Sequence, residues 1–267
     1  MTHASPMRVL VTRPQPQADE WVARLEALGV EAAALPLLHI GDAPDAATLQ
    51  QAREAARRQA LVMFVSPSAV DRFFAGADAA LGAAFGGSGP LAGSTGPGTQ
   101  AALLRAGVPA AAIVSPPAHR QRFDSEALWR ALLALQLDWR GRSVLIVRGE
   151  GGRDWLAETL RQQGAEVHFV EAYRRAAPRL DPAQQALLAD ALARPSAFCW
   201  LFSSSEAVRQ LPLLAPQADW PAMRALATHE RIVDTARSIG FGQVDEVGVA
   251  PAAVAKRLGS LYTIPRP

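Results

Sequence analysis

The sequence contains one cysteine, little net charge and no long apolar run. Cys199 is the only cysteine in 267 residues, so an intrachain disulfide is excluded. It lies in the apolar segment AFCWLF with no histidine beside it, which favours a buried thiol over a catalytic one. No apolar stretch reaches the length of a transmembrane helix, and the segment MTHASPMRVL lacks the apolar core of a signal peptide. A cytoplasmic protein without a membrane partner is therefore expected.

Basic residues are neither in large excess nor clustered. The chain has 27 lysine and arginine residues against 25 aspartate and glutamate residues, which gives a formal net charge of +2. No run of lysine or arginine marks a nucleic-acid surface. We therefore expect no nucleic acid among the partners, and binding of an anion would depend on a few local side chains.

The motifs of several enzyme classes are also missing. The five histidines show no spacing of i and i+4, and none neighbours a cysteine or a carboxylate cluster, so no metal site is predicted. A glycine-rich segment at 148–153 fails the dinucleotide pattern G-x-G-x-x-G because Asp154 stands where the last glycine is required. Neither a G-K-[ST] phosphate loop nor a G-x-S-x-G nucleophile turn occurs.

Two segments of the chain repeat one another. Residues 9–39 align with residues 144–174 without a gap, and the alignment pairs Arg13 with Arg148. Weaker matches follow in the same order, residues 65–74 with 203–212 and residues 94–108 with 226–241. Three matches in one order indicate a duplicated α/β module.

Short apolar runs alternate with helical patterns, which is typical of parallel sheets with crossover helices. Strands are predicted at 8–11, 61–65, 91–94, 111–114, 144–147, 167–170, 197–202, 224–227 and 244–247. A helix is predicted over 17–28, with Trp21, Leu25 and Leu28 on one face and Gly29 at its end. We predict an α/β fold of two similar Rossmann- or flavodoxin-like parallel-sheet domains, joined by a two-stranded linker, with a cleft between them.

Small polar and charged residues recur in the turns between strands and helices. In a parallel sheet these turns gather at the carboxyl ends of the strands, where ligands bind. Free N–H groups at the start of each helix favour an anion, and glycine and serine permit its close approach. The pattern predicts a ligand with several carboxylates or phosphates. The candidate binding residues are Arg13, Ser66, Gly96, Thr99, Ser125, Arg148, Gly149, Gly152, Arg153, Ser203, Ser204 and Thr228.

Each candidate also has a purely structural interpretation. The serines at 66, 125 and 204 and Thr228 are suited to capping the helices that follow them. The glycines fit tight turns, and the repeated arginines could pair with surface carboxylates. Tyr173 lies at the exit of the second repeat, where the first repeat has Leu38. A tyrosine in one copy only points to function, with core packing as an equal alternative.

These motifs resemble those of the uroporphyrinogen-III synthase family over nearly the whole chain. The matching motifs are V-T-R-P at 11–14, S-x-x-A-V at 66–70, G-x-x-T at 96–99, S-E-x-L at 125–128, R-G-x-x-G-R at 148–153, V-E-A-Y-R at 170–174 and a second serine turn at 203–208. No single motif is specific, but their order and spacing together are. One segment departs from the family pattern, because T-H-E-R at 228–231 stands where the family has a turn led by glycine.

The resemblance implies two α/β domains joined by two extended strands. One domain would comprise residues 1–35 and 174–267, the other would comprise residues 36–173, and the linker strands would lie near 36–40 and 167–175. Because the chain crosses twice, the two copies of the repeat would belong to different domains.

The resemblance also implies a reaction. Hydroxymethylbilane would be cyclised to uroporphyrinogen III through a spiro intermediate, with loss of water and inversion of the last pyrrole ring, a lyase step of heme biosynthesis. Tyr173 matches the tyrosine proposed as the acid in this family, and a phenol with a pKa near ~10 is protonated at neutral pH. No cofactor and no metal are implied. We expect a monomer that binds a tetrapyrrole and takes it by transient hand-off from hydroxymethylbilane synthase.

Two other functions fit parts of the sequence. A two-domain ligand-binding protein without catalysis would also need anion-binding turns, and turnover of hydroxymethylbilane would distinguish it. A transferase with paired nucleotide-binding domains would need the phosphate-binding motifs that are missing, and nucleotide binding would distinguish it.

Overall fold

A computed structural model describes residues 7–116 and 125–262. The described residues divide into two compact units. The terminal unit lies within Met1–His39 and Ala176–Pro267, and the inserted unit lies within Ile40–Arg175. Each unit has a sheet and an apolar core of its own.

The described residues form eleven strands and ten α-helices. The strands are β1 (Arg8–Val11), β2 (Ala32–Ala34), β3 (His39–Gly41), β4 (Leu61–Phe64), β5 (Leu91–Ser94), β6 (Ile113–Val114), β7 (Ser143–Gly149), β8 (Glu166–Ala176), β9 (Phe198–Phe202), β10 (Arg224–Ala227) and β11 (Gln243–Glu246). The helices are α1 (Gln17–Glu26), α2 (Ala46–Ala55), α3 (Pro67–Phe74), α4 (Pro97–Arg105), α5 (Ser125–Leu133), α6 (Trp155–Gln162), α7 (Pro182–Ala193), α8 (Ser205–Leu214), α9 (Glu230–Ser238) and α10 (Pro251–Tyr262).

The terminal unit is built on a five-stranded sheet with the order β11-β10-β9-β1-β2. All of its neighbouring strands pair in parallel. In chain order this is the arrangement 2-1-3-4-5 of flavodoxin-like sheets. Successive residues of a strand face opposite sides of the sheet, so Leu10 and Trp200 enter one apolar cluster whereas Val9 and Cys199 enter the other. Both faces of the sheet are therefore buried.

The inserted unit is built on a six-stranded sheet with the order β3-β8-β7-β4-β5-β6. Strands β4 to β8 pair in parallel. Strands β7 and β8 are the repeat copies of β1 and β2, but in this unit they come last. With β7 taken as the first strand, the order β8-β7-β4-β5-β6 is again 2-1-3-4-5. The predicted α/β fold with two similar parallel sheets is confirmed.

The two crossings between the units lie at His39–Ile40 and Arg175–Ala176. The sequence placed them a few residues earlier, at 35–36 and 173–174. Strands β3 and β8 lie at these crossings and are neighbours in the sheet of the inserted unit.

Several predicted element boundaries were wrong. Helix α1 ends at Glu26, and Leu28 lies beyond it with 50% of its surface exposed, so Leu28 is not part of the buried face. The strand predicted at 111–114 begins instead with a 3-10 turn, Ala110–Ala112, and only Ile113–Val114 is extended. A run of alanines has little strand preference, and the tight turn is the result.

Strand β2 was not predicted, whereas β3 and β8 overlap the linker strands predicted near 36–40 and 167–175. Strands β2 and β3 have three residues each, and the Ala32–Ala34 segment lacks the branched or aromatic residues that mark a strand. Strand β8 is a single strand that includes the strand predicted at 167–170 and the linker strand predicted near 167–175, and it ends at Ala176. Its second half carries the buried Tyr173, which follows the buried Ala172 and precedes Arg174.

Candidate functional site

In sheets with the order 2-1-3-4-5, ligands bind beyond the carboxyl ends of the strands where the chain reverses direction across the sheet. That point lies between β7 and β4 in the inserted unit and between β1 and β9 in the terminal unit. The turns that follow these four strands contain most of the binding residues predicted from the sequence. Each unit therefore has its own candidate site.

In the inserted unit, Tyr173 reaches the turn after β4. Its Oη lies 3.0 Å from Oγ of Ser66, although the two residues are 107 positions apart. Tyr173 is on β8 and Ser66 follows β4, so the side chain spans the end of the strand between them, β7. The tyrosine is buried, with 3% of its surface exposed.

Gly149 gives the ring of Tyr173 its place. A Cβ at position 149 would lie 2.6 Å from both Cε2 and Cζ of Tyr173 and 3.0 Å from its Oη. The strand register shifts between Arg148 and Gly149, so Tyr173 comes opposite Gly149. Such irregularities commonly re-aim a side chain beside a functional site. The sequence predicted Gly149 as a ligand contact, and the structure places it under the tyrosine ring.

Ser66 is also the N-cap of α3, because its Oγ accepts the N–H of Ala69 at 3.1 Å. The next turn, after β5, is tied to this one, since Thr95 Oγ1 donates to the carbonyl oxygen of Val65 at 3.1 Å. Within that turn Gly96 and Thr99 are buried. Both predicted residues therefore lie beside the Ser66 turn.

The turn after β7 is held by ion pairs. Arg148 lies 4.0 Å from the ring centroid of Phe169, and its Nη1 donates to Asp154 Oδ1 at 2.5 Å. Arg153 Nη2 donates to Glu126 Oε1 at 2.6 Å, which joins this turn to the start of α5, where Ser125 is the first helical residue. Arg148 therefore pairs with a carboxylate of the protein, which is the alternative that the sequence left open for the repeated arginines.

A third carboxylate contacts the same turn. Glu171 Oε1 accepts the N–H of Gly151 at 3.2 Å, and Gly152 has the positive φ of 135° that glycine readily adopts. The groups of this turn that were predicted to bind an anion thus contact side-chain carboxylates of the protein itself. Sequence reasoning missed these three acidic partners, although the repeat does align Asp154 with Asp19.

In the terminal unit, Thr12 and Arg13 follow β1. Thr12 is buried, and its Oγ1 donates to the carbonyl oxygen of Leu201 at 2.7 Å, which fixes the turn against β9. The Arg13 guanidinium lies 4.4 Å from the ring centroid of Trp21. Its Nε is inaccessible to solvent and has no hydrogen-bond partner among the described residues.

Arg13 differs from its repeat copy in its electrostatics. Burial, with a smaller contribution from Arg24, lowers the pKa of Arg13 to about 10. Asp19, the counterpart of Asp154, accepts a hydrogen bond from Gln15 at 2.9 Å instead of pairing with Arg13. Within the residues that the structure describes, Arg13 has no carboxylate partner, so it is suited to an external anion.

The remaining turns of the terminal unit hold the other predicted residues. Ser204 caps α8 by accepting the N–H of Ala207 at 3.3 Å, and Ser203 precedes it half-buried. Thr228 donates its backbone N–H to Phe202 at 3.0 Å, but the cap of α9 is His229, whose Nδ1 accepts from Arg231 at 3.1 Å. The interpretation of Thr228 as a helix cap was therefore wrong.

Other kinds of site find no support in the described parts of the chain. No group of three or more histidine, cysteine, aspartate or glutamate side chains there is placed to hold a metal ion. No helix of residues 7–116 and 125–262 is long and apolar enough to cross a membrane. Cys199 is buried as predicted, and burial raises the pKa of its thiol from 9.0 to about 12. A thiol with that pKa stays protonated and unreactive.

Comparison with known proteins identifies the family of this chain. The family profile described as Uroporphyrinogen-III synthase HemD matches residues 19–251. The uroporphyrinogen-III synthase of Salmonella typhimurium is 32% identical over 244 residues, which cover 89% of this chain and 94% of that protein. The Escherichia coli protein of the same name is 32% identical over 242 residues, with the same coverage.

Solved structures share the fold. A uroporphyrinogen III synthase from Thermus thermophilus has a TM-score of 0.52 at 21% identity, with 96% of this chain and 99% of that chain covered. The Helicobacter pylori uroporphyrinogen-III synthetase has a TM-score of 0.57 at 13% identity, with the same coverage. The family profile spans most of the chain, and together with the curated relatives it shows that this protein belongs to the uroporphyrinogen-III synthase family.

Proposed function

We propose that this protein cyclises hydroxymethylbilane to uroporphyrinogen III, releasing water and inverting the last pyrrole ring. The reaction class is that of a hydro-lyase in tetrapyrrole synthesis. Family membership supports the reaction, and the single structural observation that carries it is Tyr173 placed at the switch point of the inserted unit. A ligand-binding protein without catalysis is not favoured, because the relatives are named as synthases.

The substrate defines what the site has to do. Hydroxymethylbilane is a linear tetrapyrrole with an acetate and a propionate on every ring, and an unguided chain closes without inversion. The enzyme must therefore hold the last ring in a disfavoured orientation, which several fixed contacts to the carboxylates can achieve. The turns at both switch points offer such contacts through helix N-termini, serine hydroxyls and arginines.

Arg13 is the cation that we assign most directly to a substrate carboxylate. Its guanidinium is stacked on Trp21, removed from water at Nε and without a carboxylate among the described residues. An arriving carboxylate would neutralise a charge that burial has made costly. In the turn after β7, a substrate carboxylate would have to replace or share the contacts that Asp154, Glu126 and Glu171 now make.

Tyr173 supplies the proton for the loss of water in this proposal. The phenol donates to the terminal hydroxyl, the carbon–oxygen bond breaks and water leaves with both electrons of that bond. The pyrrole nitrogen stabilises the cation that remains, and ring closure later releases one proton from a pyrrole carbon. One proton is consumed and one is released, so no cofactor is required.

Isomer analysis of the product tests this function. Hydroxymethylbilane incubated with the protein should give the type III isomer in excess of the type I isomer formed in buffer. Type I product at the rate of buffer alone would rule the proposal out. Boiled protein provides the control for catalysis by contaminants of the substrate.

A further inference from the structure

The hydroxyl of Ser66 is shared between a helix cap and the phenol of Tyr173. Its Oγ accepts the N–H of Ala69 at 3.1 Å and lies 3.0 Å from Tyr173 Oη. A serine hydroxyl has one proton and two acceptor lone pairs. With one lone pair taken by Ala69, its own proton is free to be directed at Tyr173.

We propose that Ser66 is the positioning residue of Tyr173, orienting the phenol and donating a hydrogen bond to it as its proton leaves. The inference rests on the proposed function, in which Tyr173 is the acid. A phenol that gives its proton to the substrate must accept, not donate, its other hydrogen bond. Ser66 is the neighbour at 3.0 Å that can donate it.

The start of α3 strengthens this hydrogen bond. Ala69 N–H donates to the same oxygen from the positive end of the helix, and successive hydrogen bonds polarise one another. The chain of donors runs from Ala69 N–H to Ser66 Oγ, and from the Ser66 hydroxyl to Tyr173 Oη. When the phenol proton passes to the leaving hydroxyl, the phenolate left behind is stabilised until ring closure returns a proton.

The duplication contains an internal comparison for this role. Ser204 occupies the matching place in the terminal unit and caps α8 through Ala207 N–H at 3.3 Å. The residue that matches Tyr173 in the repeat is Leu38, which has no hydroxyl. Capping alone is therefore common to both serines, whereas contact with a phenol belongs to Ser66.

Ultraviolet titration of the phenol measures the effect directly. The sequence has two tyrosines, so in a Tyr262→Phe background the phenolate absorbance belongs to Tyr173 alone. Ser66→Ala should raise the titration midpoint by about one pH unit, equivalent to about 1.4 kcal/mol. Arg175 lies 6.0 Å from the Tyr173 ring and is present in every variant, so its field cancels in the comparison. Rapid mixing to each pH records the titration before alkaline unfolding.

Two further variants separate proton donation from capping. Ser66→Thr keeps a hydroxyl, so it should shift the midpoint by no more than about half as much as Ser66→Ala does. Ser66→Asp keeps the cap but, when ionised, cannot donate and places a negative charge beside the phenol, so it should raise the midpoint at least as far as Ser66→Ala. Ser204→Ala should leave the midpoint unchanged. A midpoint unmoved by Ser66→Ala, or lowered by Ser66→Asp, would overturn the proposal.

Turnover supplies the second measurement. Ser66→Ala should lower kcat about tenfold with restoration by Ser66→Thr. The matched control is Asp45→Ala, which removes the cap of α2 in the same unit but lies outside the proposed site, and its kcat should equal that of the wild type. Because the titration needs no substrate, its result does not depend on whether the proposed function is correct. Absence of type III product from the wild type would refute the function, and unchanged titration would refute the role of Ser66.

Discussion

Gly149 and Tyr173 are fitted to each other at the level of single atoms. The ring occupies the space in which any other residue at 149 would place its Cβ, at 2.6 Å from two ring carbons. Without a side chain at this position the ring can cross the end of β7 and reach Ser66. Packing against the tyrosine thus explains Gly149, the first glycine of the R-G-x-x-G-R motif.

Gly149→Ala should therefore displace the acid without unfolding the protein. We expect turnover to fall about 100-fold, since a misplacement of about 1 Å is enough for such a loss. Steady-state kinetics with hydroxymethylbilane measures the loss, and circular dichroism verifies the fold. Gly259→Ala is the control, because a Cβ there meets no atom within 4 Å. Turnover of Gly149→Ala equal to that of the control would show that the ring position is unimportant.

Arg13 should lower the stability of the folded protein while it contributes to binding of the ligand. The lowered pKa of about 10 means that the folded protein keeps this guanidinium charged at a cost. Arg13→Met should raise the free energy of unfolding by about 1 kcal/mol at neutral pH. This is less than the free energy equivalent to the whole pKa shift, because the side chain is only half-buried. As pH rises through about 10, Arg13 loses its proton in the folded wild type, and the free-energy cost of the buried charge disappears. The difference in stability between Arg13→Met and the wild type should therefore shrink.

Urea unfolding at neutral and alkaline pH measures that difference, and the affinity for the product should fall in parallel. Arg24→Met, at an exposed position of α1, should stay within about 0.5 kcal/mol of the wild type. A less stable Arg13→Met protein would contradict the view that Arg13 lacks an internal counter-charge.

The sequence indicated candidate residues for the site but not the contacts among them. Ser66, Gly149 and Tyr173 were all candidates, but nothing in the sequence placed them together. Their contact depends on the register shift at Arg148 and Gly149, which is a property of strand pairing. The acidic partners Asp154, Glu126 and Glu171 were missed because a carboxylate that pairs with a turn carries no local pattern of its own.

At the scale of elements, the duplicated serine turns provide the N-caps of two helices. Ser66 begins α3 and Ser204 begins α8, each accepting the N–H three residues further on. N-cap serines stabilise a helix by about 1 kcal/mol. The capping interpretation and the ligand interpretation of these serines are therefore compatible.

Ser204→Ala should lower the free energy of unfolding by about 1 kcal/mol, whereas Ser204→Asp should retain the wild-type value because aspartate caps equally well. Chemical denaturation followed by circular dichroism measures both. Equal stability of Ser204→Ala and the wild type would mean that the α8 cap contributes nothing.

Strands with apolar cores were predictable, and those without were not. The segments at 8–11, 91–94 and 224–227 match β1, β5 and β10 residue for residue. Strand β2 consists of alanines, and the second half of β8 has the buried pair Ala172 and Tyr173 followed by two arginines. In both segments tertiary pairing overrides a weak local preference.

At the scale of the whole molecule, one module has been used twice with the chain entering it at different points. Both units have the order 2-1-3-4-5, but the inserted unit begins at its third strand. The repeat in the sequence predicted the duplication, and the double crossing followed from the family resemblance. The turns that we propose to bind anions are consequently present in both units.

Binding of the product should protect both sets of turns from hydrogen exchange. We expect slower exchange at the β1–α1 turn and at the β4–α3 turn, because carboxylates would accept their N–H groups. The turns at Gly29 and Gly164 precede β2 and β8, at the opposite ends of the strands, and serve as controls. Unchanged exchange at either turn would contradict its proposed role in binding a carboxylate of the product.

The single-turnover rate of Tyr173→Phe tests the central claim most directly. Phenylalanine keeps the ring over Gly149 but has no proton to give, so the rate of hydroxymethylbilane consumption should fall at least about 100-fold while the protein stays folded and binds product. A rate equal to that of the wild type would show that Tyr173 is not the acid.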